Sequence, residues 1–441
     1  MSREALVGGG FAVSQTQLLA VIVLVVVYGL IVSDKLHRTL AALLGAVAVI
    51  GLGLLDQHEA FSPHIVDFNV IFLLAGMMII ASILGRTGIF RWLAVEAVRR
   101  AVGRPYRLLV LISVVVALAS AFLDNVTAVV LMTPVTFFIA QRLGVEPMPY
   151  LVSLIIASNI GGTATLIGDP PNIIIGSRLN KDFNDFLLHA APAAVVCLIV
   201  YLGFARWLFR KQLARAETSL GPDDIARLVR EERRIEDPHL MRLGLFVLGL
   251  TVIGFLVARP LGLEGATIAL AGAVLLMMLA RENVSEVLKT VEWSTLLFFI
   301  GLIIVVGAVV ESGIISELAK LLLSATGGRP DVTAIAILWM SAILSAIVDN
   351  IPYAITMAPL VHELGSSMNI EPLIWALVLG ADIGGNATIV GASANVVVSS
   401  MSDARGYKIT FLGYLRYGLP ATAVTMAVCT ADLFVRYDLF R

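Results

Sequence analysis

Four Asp and four Asn side chains stand inside otherwise apolar stretches, and their pattern recurs. LDNVT at 123–127 sets Asp124 beside Asn125, and VDNIP at 348–352 sets Asp349 beside Asn350. SNIGGTATLIGDPPN at 158–172 carries Asp169 and Asn172, while ADIGGNATIVGASANVV at 381–397 carries Asp382 and Asn395. A carboxylate within a bilayer is costly unless it is paired, hydrated or protonated. Asp124, Asp169, Asp349 and Asp382 are therefore candidate proton or cation sites. Any single Asn also fits a helix cap at a chain break, and the glycines fit close packing. Capping alone does not require four Asp, four Asn and several Thr in one symmetric set, which reads as a transport site. Cations are sparse at motif depth, which argues against a multivalent anion held by Arg or Lys. Helix N-termini can still hold a weak or singly charged anion.

The backbone around these residues must be irregular. Gly161, Gly162, Pro170 and Pro171 forbid a continuous helix through 158–172. Gly384 and Gly385 repeat the glycines of that break without its prolines. Hydrocarbon tolerates such backbone only where it is buried in protein or lines a wet cavity, and broken helices expose amide and carbonyl ends that bind ions or polar solutes. Two more stretches, 106–143 and 332–364, are each nearly twice the length of one span and hold an Asp-Asn pair at the middle. Each reads as a re-entrant helical hairpin, so that four polar tips converge on one cavity.

The 441 residues are 59% hydrophobic and 14% charged, with mean hydropathy +0.93. That balance is far more apolar than a soluble domain's, so lipid is the solvent of most of the chain. Spans of about 20 apolar residues fit 16–32, 38–55, 69–84, 150–177 and 186–209, then 240–257, 265–280, 293–310, 373–400 and 411–435. Asp67, Gly76, Thr87 and Gly88 recur as Glu292, Gly301, Ser312 and Gly313 at a constant spacing of 225 residues, as do Ser120, Asp124, Asn125 and Pro134. Gly161, Thr165, Gly168 and Asn172 recur at 223. An odd number of crossings per copy makes the repeats inverted. The fold expected is an all-α polytopic membrane protein of two inverted repeats, 1–209 (hairpin 106–143, broken helix 150–177) and 240–441 (hairpin 332–364, broken helix 373–400), joined by a cytoplasmic linker at 210–239.

Lys and Arg gather in the 206–242 connection and in the group Arg86, Arg91, Arg99, Arg100, Arg104 and Arg107, whereas loop 56–68 has none. The positive-inside rule makes the former cytoplasmic and both termini external, with Arg178, Lys181, Lys320 and Arg329 as mild exceptions on the outer face. Residues 221–238 read equally well as a short amphipathic helix or a solvated linker. The first apolar run reads as a retained span. Net charge is −1 without a basic domain, so nucleic acid is not an expected partner. Cys197 and Cys429, each alone in an apolar run, read as small core residues rather than a disulfide or metal pair. The six His sit mostly at expected interfaces, away from the motifs, so no nucleophile–base pair suggests an enzyme. No cofactor is implied.

LDNVTAVVLMTPV, SNIGGTATLIGDPPNIII, VEWSTLLFF, VDNIP and GASANVV together resemble the ion transporter superfamily. Within it they resemble the branch holding the arsenite efflux permease ArsB and the P protein. The resemblance implies a scaffold domain and a transport domain of hairpin tips and broken helices, with elevator-like alternating access. By motif match it places substrate binding at Asn125, Asn172, Asn350 and Asn395, with Thr163, Thr165, Thr388 and Ser393 as nearby hydroxyls. Where dicarboxylate-transporting relatives carry Ser-Asn-Thr at the tips, this chain has Asp124 and Asp349, which argues against carboxylate and sodium coupling of that type. For the arsenite branch the resemblance implies expulsion of arsenite or antimonite from the cytoplasm across the inner membrane, driven by inward proton flow or by an ArsA-type ATPase partner on the cytoplasmic face. Arsenite at neutral pH is largely an uncharged triol that Asn, Thr and Asp suit. A sodium/proton antiporter of the NhaD kind, and an anion pathway such as proposed for the P protein, are the alternatives. Superfamily members are often homodimers.

Overall fold

The computed structural model describes residues 14–33, 35–101, 104–216 and 235–437. Linker positions 217–234, including most of the expected amphipathic helix, lie outside them. Within the described residues the chain is helical throughout. Among the described residues eight helices are long and apolar enough to cross a membrane. Six of them, Gln15–Ser33, Phe68–Gly85, Phe183–Leu208, Pro238–Leu256, Trp293–Glu311 and Phe411–Tyr437, match expected crossings. The other two, Pro105–Leu123 and Pro330–Val348, are the first arms of the hairpins. Asn125–Arg142 and Asn350–Leu364 are the second arms, and each hairpin turns at its Asp-Asn pair. The chain is an all-α polytopic membrane protein of two inverted repeats, each with a hairpin and a broken helix.

The breaks fall where the Gly and Pro residues require them. Met148–Thr163 stops short of Pro170–Arg178, and Glu371–Gly384 passes through a 3-10 turn, Gly385–Ala387, before Ser393–Asp403. Pro170 and Pro171 occupy the first turn of their helix, where a missing N–H costs nothing. Two helices unmarked in the span reading, Ile89–Ala101 and Ile314–Ala325, link each third crossing to its hairpin. Both are too short to span and mix polar with apolar residues, which is why an apolar-run criterion passes over them.

Compactness divides the chain along another line than the repeats. One unit comprises the described residues up to Val66 together with Leu297–Leu318. Inside it Gly301 lets its helix approach the Ala42 backbone, where a Cβ would fall 2.8 Å from the carbonyl carbon. His64 and Glu311 pair at 3.2 Å. The other unit, Asp67–Leu296 with the described residues from Ala319 onward, contains both hairpins and both breaks. There Gly76, the repeat counterpart of Gly301, approaches the Ala269 backbone in the same way, at 2.7 Å.

Candidate transport site

The hairpin tips are strained alike. Asp124 has φ 79°, ψ 152° and Asp349 has φ 88°, ψ 138°, a region that costs a non-glycine residue on the order of 1–3 kcal/mol. Each carboxylate offsets this as the N-cap of its second arm. Asp124 accepts from the Thr127 amide at 2.8 Å and from the Thr127 hydroxyl at 2.7 Å. Asp349 accepts from the Ile351 amide at 3.1 Å and from the Ser393 hydroxyl at 3.0 Å. These bonds set the next residue, Asn125 or Asn350, at the start of a helix and bury it.

Each broken helix is fastened to its own hairpin by hydroxyls and a glycine seam. Ser120 Oγ donates to the Ser158 carbonyl at 2.6 Å, and Ser345 Oγ to the Ala381 carbonyl at 2.5 Å. Thr165 donates to the Ala121 carbonyl, and Thr388 to the Ala346 carbonyl at 2.5 Å. A Cβ at Gly161 or Gly384 would fall on the backbone of Ala117 or Ala342, so only glycine allows these helices to meet. Gly162 and Gly385 abut the far sides of their own breaks at Gly168 and Gly391. Across each break one Asn ties the two ends. Asn172 Nδ2 donates to the Gly162 and Thr165 carbonyls at 3.0 and 2.9 Å, and Asn395 Nδ2 to those of Gly385 and Thr388, both at 2.8 Å. The capping role therefore holds for the Asn172 and Asn395 nitrogens. Thr163, which donates to Asn159 O at 2.8 Å, joins Thr165 and Thr388 in committing its hydroxyl hydrogen to the backbone.

At the centre the two tips meet one carboxylate. Asn125 Nδ2 donates to Asp169 Oδ2 at 2.6 Å, and Asn350 Nδ2 reaches the same oxygen at 3.2 Å. Asn125 also donates to Asn159 Oδ1 at 3.2 Å. Asn159 Nδ2 in turn donates to Asn386 Oδ1 at 3.0 Å and Asn395 Oδ1 at 2.9 Å, joining the two breaks. Asp382 is fully buried, faces Thr163 and Asn172, and lies within electrostatic range of Asp169. Five buried acceptor oxygens here lack a hydrogen-bond donor: Asn125 Oδ1, Asp169 Oδ1, Asn172 Oδ1 and both oxygens of Asp382.

Asn159 and Asn386 were not singled out by the motif reading. The repeat spacing of 223 residues would have found them, because it sets Asn159 opposite Asp382 and Asn386 opposite Thr163. Among the described residues no group of three His, Cys, Asp or Glu side chains is gathered for a metal ion. A cavity of about 380 Å³ between Ser82, Arg86, Thr290 and Glu292 reaches Thr127, the residue that holds Asp124. The two cysteines, solitary in sequence, meet as free buried thiols with Sγ atoms 3.6 Å apart.

Residues 28–380 match the family described as citrate transporter. An uncharacterized transporter of Mycobacterium tuberculosis is 42% identical over 431 residues, covering 96% of this chain and 99% of its own. The human P protein is 32% identical over 500 residues, covering 95% of this chain and 60% of its own. Among solved structures, the YdaH transporter of Alcanivorax borkumensis superposes with TM-score 0.55 over 96% of this chain and 99% of that one at 14% identity, a likeness of fold. The shared length, the tips and breaks, and these matches lead to one conclusion: the chain belongs to the citrate transporter family of the ion transporter superfamily, in the branch that includes the P protein, and is a multi-pass membrane transporter.

Proposed function

We propose that this transporter exports a small uncharged hydroxylated solute, arsenite or antimonite, from the cytoplasm by proton-coupled alternating access. The observation that carries the reading is the shortage of donors at the centre. Five buried oxygens lack partners against one buried donor, Asn386 Nδ2, and an unmade buried hydrogen bond costs about 1–3 kcal/mol. A triol brings three O–H donors to such a site, and protons on Asp169 or Asp382 bring others. The family's name points to a tricarboxylate, which needs cations. Among the described residues, the buried polar and charged groups include no Lys, Arg or His.

In this proposal Asn125 and Asn350 hold the solute from the two tips, while the Asn172 and Asn395 side-chain oxygens complete the pocket. Asp169 and Asp382 carry the coupling protons, since two carboxylates that repel across a medium of low dielectric need compensation. Asp124 and Asp349 shape the tips. The gathering of both hairpins and both breaks in one compact unit supports elevator-like movement. The 380 Å³ cavity, flanked by Arg86 and Glu292, is the cytoplasmic approach if the arginine-rich loops face inward in the inner (plasma) membrane and the termini lie outside.

The test is arsenite and antimonite uptake into everted vesicles with and without a proton gradient, in wild type, Asp169→Asn and Asp382→Asn. Gradient-driven uptake abolished in both variants is the expected result; uptake that survives both overturns the coupling assignment. Adding ATP with an ArsA-type ATPase tests whether such a partner adds to the gradient. The same oxygens would also ligate sodium, which favours a sodium/proton antiporter as the second reading. Sodium-driven proton flux without arsenite movement would replace the first reading with the second.

A further inference from the structure

Four arginines converge at one end of the first hairpin, with no paired carboxylate among the described residues. Arg104 and Arg107 come from the start of Pro105–Leu123; Arg206 and Arg210 come from the end of Phe183–Leu208 and the turn beyond it. Together with Tyr106 they line a cavity of about 560 Å³. Among the described residues none of the four forms an ion pair. Two of them are nonetheless held against aromatic rings. The Tyr106 hydroxyl donates to Leu202 O at 2.9 Å and ties the two helices together. The Arg206 guanidinium stacks 5.3 Å from the Tyr106 ring centroid, and that of Arg210 lies 5.7 Å from the Trp207 ring centroid.

The location is that of a membrane interface. Both helices are apolar enough to span and end here. Trp207, 58% exposed, has the amphipathic ring that settles at headgroup level. Among the described residues the second repeat has no such cluster. At the 225-residue spacing the counterpart of Arg104 is Arg329, which pairs with Asp331 at 2.6 Å, and that of Arg107 is Val332. The basic cavity is therefore an addition to the first repeat and not a by-product of the fold.

We propose that this cavity binds the phosphodiester of an anionic phospholipid, with the acyl chains lying along the apolar helices beside Trp207. Planar guanidinium groups suit phosphate oxygens in pairs, and a basic recess where membrane helices end is a headgroup site by chemistry and depth. The shared ligand chemistry, a phosphate oxyanion, has two other sources of negative charge to distinguish: free inorganic phosphate, and the chain's own Glu217, Asp223, Asp224, Glu231 and Glu232 in the neighbouring linker.

The experiment places the full chain in nanodiscs of phosphatidylcholine alone or mixed with phosphatidylglycerol. It reads the melting temperature and, after gentle extraction, the anionic lipid retained by native mass spectrometry. Wild type should gain stability and retain phosphatidylglycerol. The double variant Arg107→Gln/Arg210→Gln should lose the gain and bind the lipid about thirtyfold more weakly, while Lys289→Gln, a distant charge loss, should behave as wild type. Equal retention in the double variant and wild type overturns the proposal. So does an equal gain from inorganic phosphate in pure phosphatidylcholine, which would make the site one for a free oxyanion. A gain that appears only after the five linker acids are neutralised would make the linker the occupant, and would overturn it as well.

Discussion

The two broken segments share their glycines, their closing Asn and their latch hydroxyls, yet carry their carboxylates in different places. In the first break the acid, Asp169, follows the irregular stretch and accepts from both hairpin tips. Its counterpart in the second break is Ala392. In the second break the acid, Asp382, precedes the irregular stretch and has no hydrogen-bond donor; its counterpart is Asn159, which bridges to Asn386 and Asn395. The backbone is thus duplicated while the charge is not. One repeat supplies a carboxylate with one oxygen held by both tips and the other a carboxylate with neither oxygen held.

The symmetric part is the easier to break. Gly161→Val and Gly384→Val each drive a side chain into a facing backbone, and each should cost about 3 kcal/mol, the upper end for overpacking. Loss of the folded peak in size-exclusion chromatography and a collapsed melting temperature would register it equally for both. A large loss at one site alone would mean that the seams are not equivalent.

The asymmetric part should appear in transport. Asp382→Asn should slow coupled uptake by about 100-fold with little change in melting temperature, whereas Asp169→Asn should impair both because it disturbs two amide bonds. Moving the acid to its repeat position with Asn159→Asp/Asp382→Asn should not restore uptake, since Asn159 needs its amide nitrogen for Asn386 and Asn395. Restored uptake in that pair would show that a carboxylate anywhere in the pocket suffices.

A smaller and again symmetric effect is expected at the caps of the breaks. Asn172→Ala and Asn395→Ala each remove two hydrogen bonds to backbone carbonyls across the break, at a cost of about 1–3 kcal/mol, measurable as matched drops in melting temperature.

Much of this is legible in the amino-acid sequence. Apolar run lengths gave six crossings that the structure shows as long helices, Gly and Pro gave the breaks, and the 225-residue register gave the repeat. The hairpin tips followed from Asp-Asn pairs at the middle of overlong runs. The convergence of Asn125 and Asn350 on Asp169 did not follow, because it joins residues 44 and 181 positions apart and spacing alone carries no partner. Thr163, Thr165 and Thr388 offered hydroxyls by type, but their helical neighbours supplied carbonyls closer than any solute. The linking helices Ile89–Ala101 and Ile314–Ala325 were hidden because a mixed polar and apolar sequence resembles a loop when only hydropathy is scored.

The smallest contrast lies in the loops outside the spans. Asp56 caps Gln57–Ala60 by accepting from the His58 and Glu59 amides at 2.6 and 2.9 Å. In the second half Asn283 caps Val284–Leu288 by accepting from Ser285 at 3.0 Å and Glu286 at 3.4 Å. The Glu59 and His58 amides hold the Asp56 carboxyl below its ordinary value. Its capping contribution is therefore fully present above the unfolded value of about 4 and fades as pH falls through the lowered one. Local hydrogen exchange, corrected for intrinsic rates, should quicken in acid at His58 and Glu59 but not at Ser285 and Glu286. Parallel behaviour at the two caps would remove this distinction.

The latches and the central amides also differ in when they can form during synthesis. The Ser120–Ser158 and Ser345–Ala381 latches close over 38 and 36 residues, within one half of the chain. Asn159 reaches Asn386 across 227 residues, and Asn350 reaches Asp169 across 181. As the nascent chain enters the bilayer, the first hairpin and its broken helix can assemble while the second half is still on the ribosome. Throughout that interval Asp169 has Asn125 but not Asn350. Completion of the pocket is thus a late event in biogenesis, and a truncated first half is an assembled helical layer with an unfinished polar centre, a natural substrate for membrane quality control.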